Sequence, residues 1–157
     1  MSMTVEIPGY KSVSLSNVVM DFNGTIAVDG KLKATVKPLL VALAKHLNVY
    51  VATSDTQGTA ATEMKDMPVS LLIFNAIQAG ESKKTLVEEL GADHCACIGN
   101  GRNDRLMFQV AALSIAVLEA EGLYAPLLLD ADLLARSSEE AIALLLDRKR
   151  LISGLRG

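Results

Sequence analysis

Apolar residues in this chain fall in short continuous runs, and each run is closed by residues that favour turns or carry polar groups. The first, over 13–22, is continuous enough in Val and Leu to predict a strand buried on both faces. Ile26-Ala27-Val28 and Lys31-Leu32-Lys33 flank Asp29-Gly30, which predicts a hairpin flap directly after that strand. A helix is expected over 35–46, with Pro38 tolerated in its first turn. A second strand follows at Asn48–Thr53, then a helix over 57–66 and a third strand over 69–75 behind Pro68. The stretch 81–90 reads as a helix stopped by Gly91, and Cys95–Gly99 as a fourth strand. Helix 103–111, strand 113–118, a short helix over 125–130 and a brief strand Leu133–Ala135 come next. Ser137-Ser138-Glu139-Glu140 has the form of a capping box ahead of a helix over 141–146.

Strands that alternate with helices of about ten residues predict a parallel sheet covered on both faces. The expected architecture is α/β, a Rossmann-like three-layer sandwich of about six mostly parallel strands in a single domain spanning 1–157. Ligands of such sheets bind beyond the carboxyl ends of the strands. Polar clusters fall at those ends: Asp21-Phe22-Asn23-Gly24-Thr25, Thr53-Ser54-Asp55, and Gly99-Asn100-Gly101-Arg102-Asn103-Asp104.

Composition narrows the function. Half of the 157 residues are hydrophobic and 21% are charged, as in a folded soluble protein rather than a disordered one. A net charge of -3 gives no global attraction to nucleic acid or anionic membrane, and 4% aromatics without Trp provide no base-stacking platform. The first residues lack a basic-then-apolar signal layout and no apolar run approaches about 18 residues, so a cytoplasmic location is expected. Cys95 and Cys97, at i and i+2 on a strand, are poorly placed for a bridge and lack histidine partners for zinc. They read as small buried thiols, and His46 and His94 as structural.

Asp21 is the residue on which the chemistry centres. An ionised carboxylate needs no base to act as a nucleophile. Gly24 permits a sharp turn beside it, and Thr25 brings a hydroxyl. Thr53 and Ser54 offer hydroxyls that could hold phosphoryl oxygens, or could simply cap the following helix. Lys83 and Lys84 near a helix start could neutralise a carboxylate and an incoming phosphate, or form an ordinary solvated face. Spacing to Leu86, Val87 and Leu90 favours Lys83 as the inward one. A dinucleotide fingerprint is the rival reading of Gly99-Asn100-Gly101, but its third glycine position holds Asp104.

In order and placement these clusters resemble the four motifs of the haloacid dehalogenase (HAD) superfamily, over about 18–146. The pentad at Asp21 resembles Asp-x-Asp-Gly-Thr, and the loop at Gly99 resembles Gly-Asp-Gly-x-Asn-Asp in five of six positions. The resemblance is closest to the capless, soluble P-type ATPase-like group, in whose pumps Thr stands where Asn23 stands here. It implies a Mg²⁺-dependent phosphohydrolase forming a phospho-aspartate at Asp21. Asn23 and Lys83 are its further catalytic residues, and Thr53, Ser54, Lys83 and Gly24 contact phosphate. Asp21, Asn23, Asp104 and Asn100 are its metal ligands. The substrate implied is a phosphorylated small molecule or nucleotide, and a capless site implies a homo-oligomer whose neighbouring subunit covers it.

Two positions depart from the motifs. Asn23 replaces the Asp that in resembling phosphatases protonates the leaving group, help typically worth ~10²–10⁴ in rate, so alkyl phosphomonoesters should turn over poorly. Asn100 replaces a metal-binding carboxylate, although Mg²⁺ accepts one or two carboxylates with waters and phosphate oxygens. The alternative expectation is therefore a catalytically impaired phosphate- or Mg²⁺-binding regulatory domain. Both replacements precede Gly, a dipeptide prone to deamidation. A response-regulator receiver would need an acidic pair after the first strand and its acceptor after the third, where Asn75 stands. The basic Arg148-Lys149-Arg150 tail reads as a solvated helix end.

Overall fold

The structure, a computed structural model, describes residues 2–55 and 58–157. In chain order its elements are β1 (Met3–Glu6), β2 (Ser12–Leu15), β3 (Asn17–Met20), β4 (Ala27–Val28), β5 (Lys31–Leu32), α1 (Lys37–Leu43), β6 (Asn48–Thr53) and α2 (Thr59–Met64). They continue with β7 (Ser70–Ile73), α3 (Ala79–Leu90), β8 (Cys95–Gly99), α4 (Arg105–Val110), β9 (Leu113–Val117), β10 (Leu133–Ala135), α5 (Ser138–Leu146) and α6 (Arg148–Leu155). Six strands form one sheet in the order β10-β9-β8-β3-β6-β7, and every neighbouring pair is parallel.

Because strand side chains alternate between faces, the sheet feeds two cores. Val18 and Met20 point into one layer with Leu40, Leu43, Ile98 and Ile142. Val19 points into the other with Val87, Cys97, Met107 and Phe108. β3, β8 and β9 are buried along their whole length, the polar Asn17 and Ser114 included, as predominantly apolar strands covered on both faces are. Cys95 and Cys97 share one face as free, buried thiols. The expected three-layer parallel architecture is therefore present, with the strand carrying Asp21 near its centre.

The apolar run over 13–22 is not one strand. It breaks at Ser16, whose N–H donates to the His94 carbonyl (2.9 Å) and whose carbonyl accepts from Asn48 N–H (3.0 Å). The part before the break turns away as β2 and pairs antiparallel with β1. His94 supports this turn through Nδ1, 2.8 Å from the Ser14 carbonyl oxygen. The flap is present as the β4–β5 antiparallel pair around Asp29-Gly30. The helix expected over 57–66 is described only as α2, since Gln57 lies outside the described residues. The helix expected from Asn103 begins as a 3₁₀ turn at Arg102–Asp104 before α4. Ser137 caps α5 by accepting from Glu140 N–H at 3.1 Å. The reciprocal half of the capping box is absent, because the Glu140 carboxylate pairs with Arg136 (2.5 Å). The basic tail is a helix in its own right, α6, capped by Asp147 and anchored by the buried Leu151.

Candidate active site

Asp21 lies one residue past β3, where the register sets Met20 between Val51 and Ile98. Its N–H donates to the Ile98 carbonyl at 3.1 Å, which extends the ladder and fixes the direction of the side chain. The chain then coils tightly: the N–H groups of Thr25, Ile26 and Ala27 all donate to the Phe22 carbonyl, at 3.2, 3.0 and 3.0 Å. Gly24 sits in the left-handed region (φ 78°), and a β-carbon there would lie 2.4 Å from Asn100 Nδ2. Only glycine lets this loop press against Asn100.

Lys83 comes from α3, on the helix face that also buries Ala79, Leu86 and Val87. It is wholly buried, and its ammonium makes three hydrogen bonds. They run to Asp21 Oδ1 (2.9 Å), Asp104 Oδ1 (2.8 Å) and Asn103 Oδ1 (3.2 Å). An ammonium has three donors, so none is left over. Asp104 is equally buried, and its second oxygen accepts from the N–H groups of Asn100 (3.1 Å) and Gly101 (3.0 Å). This close seat depends on Gly99, where a β-carbon would lie 2.4 Å from Asp104 Oδ2. Asp104 thus stands behind Lys83 with both oxygens hydrogen-bonded.

Asn100 is held on both sides of its amide. Its Oδ1 accepts from Thr25 Oγ1 (3.3 Å) and its Nδ2 donates to the Gly122 carbonyl (3.0 Å). Its own carbonyl accepts from Tyr124 N–H at 2.8 Å, so the segment after β9 is strapped to the site.

The charges explain the titration of the cluster. Burial and then the nearby Asp104 charge push the Asp21 carboxyl up to about 6, against the opposing pull of Lys83. Burial opposes the Lys83 ammonium, but Asp104 and Asp21 outweigh it and hold its pKa above the ordinary lysine value. Lys83 therefore stays charged at neutral pH, while Asp21 is mostly but not wholly ionised.

An open cavity of about 490 Å³ lies over these groups. It is lined by Asp21 and Asn23, by Ala76, Ile77 and Gly80, and by the loop 100–103. Asp21, Asn23 and Asn100 thus share one cavity, with Lys83 directly beneath Asp21. Thr53 and Ser54 are on the adjacent strand end but are not part of this wall. The Thr53 hydroxyl oxygen accepts from Asp55 N–H (3.1 Å), and the Asp55 carboxylate in turn caps α2 through Ala60 N–H (3.0 Å). Among the described residues no cluster of three or more His, Cys, Asp or Glu side chains is arranged to hold a metal. Sequence reasoning missed the wall formed by Ala76, Ile77 and Gly80. The signal was Asn75 at a strand end, whose side chain accepts from Ile77 N–H (2.9 Å) and sets the 3₁₀ turn there. A second groove of about 400 Å³, beside Leu72, Phe74 and Leu86, holds none of the strand-end groups.

No protein-family model matches the chain. Two proteins of Methanocaldococcus jannaschii do. It is 34% identical to uncharacterized protein MJ0073 over 74 residues, covering 45% of this chain and 80% of that one. It is 44% identical to uncharacterized protein MJ0072 over 39 residues, covering 25% of this chain and 89% of that one. The chain belongs to their family. Among solved structures, the 3-deoxy-D-manno-octulosonate 8-phosphate phosphatase of Moraxella catarrhalis, in complex with magnesium, phosphate and KDO, superposes with a TM-score of 0.71 at 17% identity. That match covers 88% of this chain and 90% of the other. A probable YrbI-family phosphatase of Pseudomonas syringae gives 0.72 at 15%, covering 86% of each chain. The cobalt-bound YrbI phosphatase of Haemophilus influenzae gives 0.68 at 13%, covering 90% and 89%. These likenesses show that the chain has the same fold as these phosphatases.

Proposed function

We propose that this chain is a Mg²⁺-dependent phosphohydrolase that works through a phospho-aspartate at Asp21. The observation that carries the reading is the Asp21–Lys83 pair, with the carboxylate on a cavity wall and the ammonium buried beneath it at 2.9 Å. In the reaction the Asp21 oxygen not bonded to Lys83 attacks phosphorus. The bond to the leaving oxygen breaks, and that oxygen departs with the electron pair. Water then attacks the same phosphorus, the Asp21 oxygen–phosphorus bond breaks to return Asp21 as a carboxylate, and the water's proton leaves on the released phosphate. Lys83 holds Asp21 in place and stays protonated throughout, so it balances charge rather than moving a proton.

The donor set fits magnesium. Asp21 supplies one carboxylate and Asn23 and Asn100 supply neutral oxygens, while Mg²⁺ commonly completes its shell with waters and substrate phosphate. When bound, the ion supplies positive charge to the phosphoryl oxygens. Asp104 supports Lys83 in this arrangement. Thr53 and Ser54 remain candidates for phosphate contact from the neighbouring strand end. Asn23 cannot protonate a leaving group, so the favoured substrates are those whose leaving oxygen needs no proton: aryl phosphates, acyl phosphates and anhydrides. This keeps the chain nearest in chemistry to the soluble P-type ATPase-like group.

The test is hydrolysis of an aryl phosphate with Mg²⁺ by the native protein and Asp21→Asn, with intact-mass detection of phosphoprotein after rapid quenching. Native turnover and a phosphorylated species, both abolished in Asp21→Asn, are expected. Hydrolysis that survives the substitution refutes the reading. The missing acid at position 23 favours a second reading, a domain that binds phosphate and Mg²⁺ without turnover. It predicts a raised melting temperature with both ligands and no product.

A further inference from the structure

Lys83 cannot greet a substrate without breaking a bond it already has, because its three donors are all taken. The cation that the cavity does present is Arg102. It lines the wall, its side chain is exposed, and its guanidinium has no hydrogen-bond or ion-pair partner among the described residues. It belongs to a short, fixed segment: Asn100 and Gly101 on one side are bonded through their N–H groups to Asp104, and Asn103 on the other is bonded to Lys83. Its neighbours are thus tied to Asp104 and Lys83, and Lys83 in turn holds the nucleophile. From a different element the cavity receives Ile77, 94% exposed on the 3₁₀ turn that Asn75 fixes. An aliphatic side chain left almost wholly in water beside a cavity gains by being covered, and a guanidinium offers a planar fork matched to carboxylate or phosphate.

We propose, resting on the phosphohydrolase reading, that Arg102 recognises a second anionic group carried on the substrate's leaving group, with Ile77 packing on the carbon frame between the two anions. The substrate class is a small phosphorylated molecule that carries another carboxylate or phosphate. Arg102 is then a specificity-determining residue, distinct from the groups that engage the transferred phosphoryl. A charged fork in a wet cavity that gains one ionic partner gives a preference of about tenfold.

The experiment measures binding, so that it does not depend on turnover. Phenylphosphonate and its 2-, 3- and 4-carboxy derivatives, which cannot be hydrolysed, are titrated calorimetrically with Mg²⁺ present into native protein, Arg102→Ala and Arg102→Lys. The expected result is that at least one carboxylated isomer binds native protein about tenfold tighter than the parent. That ratio should fall to near one in Arg102→Ala and be partly kept in Arg102→Lys. A ratio near one for every isomer in native protein overturns the assignment of Arg102 and leaves the phosphate site standing. Equal losses for parent and carboxylated ligands in Arg102→Ala also overturn it, by assigning the guanidinium to the phosphoryl group itself. If none of the ligands binds native protein, the phosphate site and the Arg102 proposal fall together.

Discussion

Replacing Lys83 with Met asks what holds two carboxylates together inside this protein. Met keeps most of the length and removes the charge, so Asp21 and Asp104 would face each other without a counter-ion, both in contact with the vacated position. Breaking a buried charge pair by removing one partner costs about 3–5 kcal/mol, because the remaining charge stays buried and uncompensated. That is a large part of the ~5–15 kcal/mol by which a domain is stable.

The loss should depend on pH in a determined direction. The Asp21 carboxyl lies at about 6 in the native protein against an ordinary 3.8, so folding favours its protonated form. The stability tied to that proton is present below 3.8 and is lost as pH rises through 6, a swing of about 3 kcal/mol. Lys83 is raised above its ordinary 10.5, so its contribution is complete below that value and flat across neutral pH. At pH 5 Asp21 is mostly protonated in both proteins, and the substitution removes chiefly the Lys83–Asp104 bond. At pH 7.5 it removes the Asp21 partnership too, making the loss larger by about 1.5–3 kcal/mol. With no Trp in the chain, urea unfolding is followed by far-ultraviolet circular dichroism, in EDTA, at both pH values. The double variant Lys83→Met/Asp104→Asn should regain at least about 1 kcal/mol, since one buried charge is gone. A loss under about 1 kcal/mol at pH 7.5, or an equal loss at both pH values, would refute the account of the cluster.

Three other expectations concern titration, activity and seating. In metal-free protein the Asp21 carboxyl should titrate with a midpoint near 6, followed by carboxyl carbon NMR against Asp21→Asn; a midpoint below about 4.5 contradicts this. Asn23→Asp should raise turnover of an alkyl phosphate by up to ~10²–10⁴, and steady-state assays showing no gain would mean that a missing acid is not what limits it. Gly99→Ala should displace Asp104, since its methyl group would lie 2.4 Å from Oδ2; a fall in melting temperature of several degrees is expected, and an unchanged one refutes the close seat.

Much of this site was readable because the physics is regular. A parallel sheet delivers all its carboxyl ends to one edge, so Asp21 and the loop 100–104, far apart in sequence, had to meet once the strands were recognised. Lys83 was readable from its spacing on an amphipathic helix. What escaped depended on partners that no local pattern names. Ser16 breaks the first run because distant groups, the His94 carbonyl and Asn48 N–H, take its backbone bonds. The α6 helix was hidden by its charge, since Leu151 is its one buried residue. Asp104 offered oxygens in sequence, and only the fold reveals that they accept from Lys83 and from two backbone N–H groups. The deamidation to which Asn-Gly pairs are prone meets a similar obstacle at Asn23-Gly24 and Asn100-Gly101. The glycine N–H that must attack is engaged in both, with the Ala27 carbonyl (2.9 Å) and with Asp104 (3.0 Å).

The two asparagines that break the motif pattern are matched to their surroundings, each for its own reason. The Asn100 amide donates to the Gly122 carbonyl, a bond that a carboxylate could not make, because two acceptors would then face each other. An Asp there would have to release the strap that ends at Tyr124 or bind a cation strongly enough to offset the lost bond. Asn23 acts on the charge balance instead. With amides at both positions, one lysine faces two carboxylates, and the cluster closes without any ion; every buried side-chain polar atom among the described residues has a partner. With carboxylates at both, one lysine would face four, and the fold would depend on a bound metal for its stability as well as its chemistry. On the phosphohydrolase reading, the amides would give up leaving-group protonation and metal affinity in return for a cluster balanced by one lysine, an exchange that would suit a substrate bringing its own good leaving group.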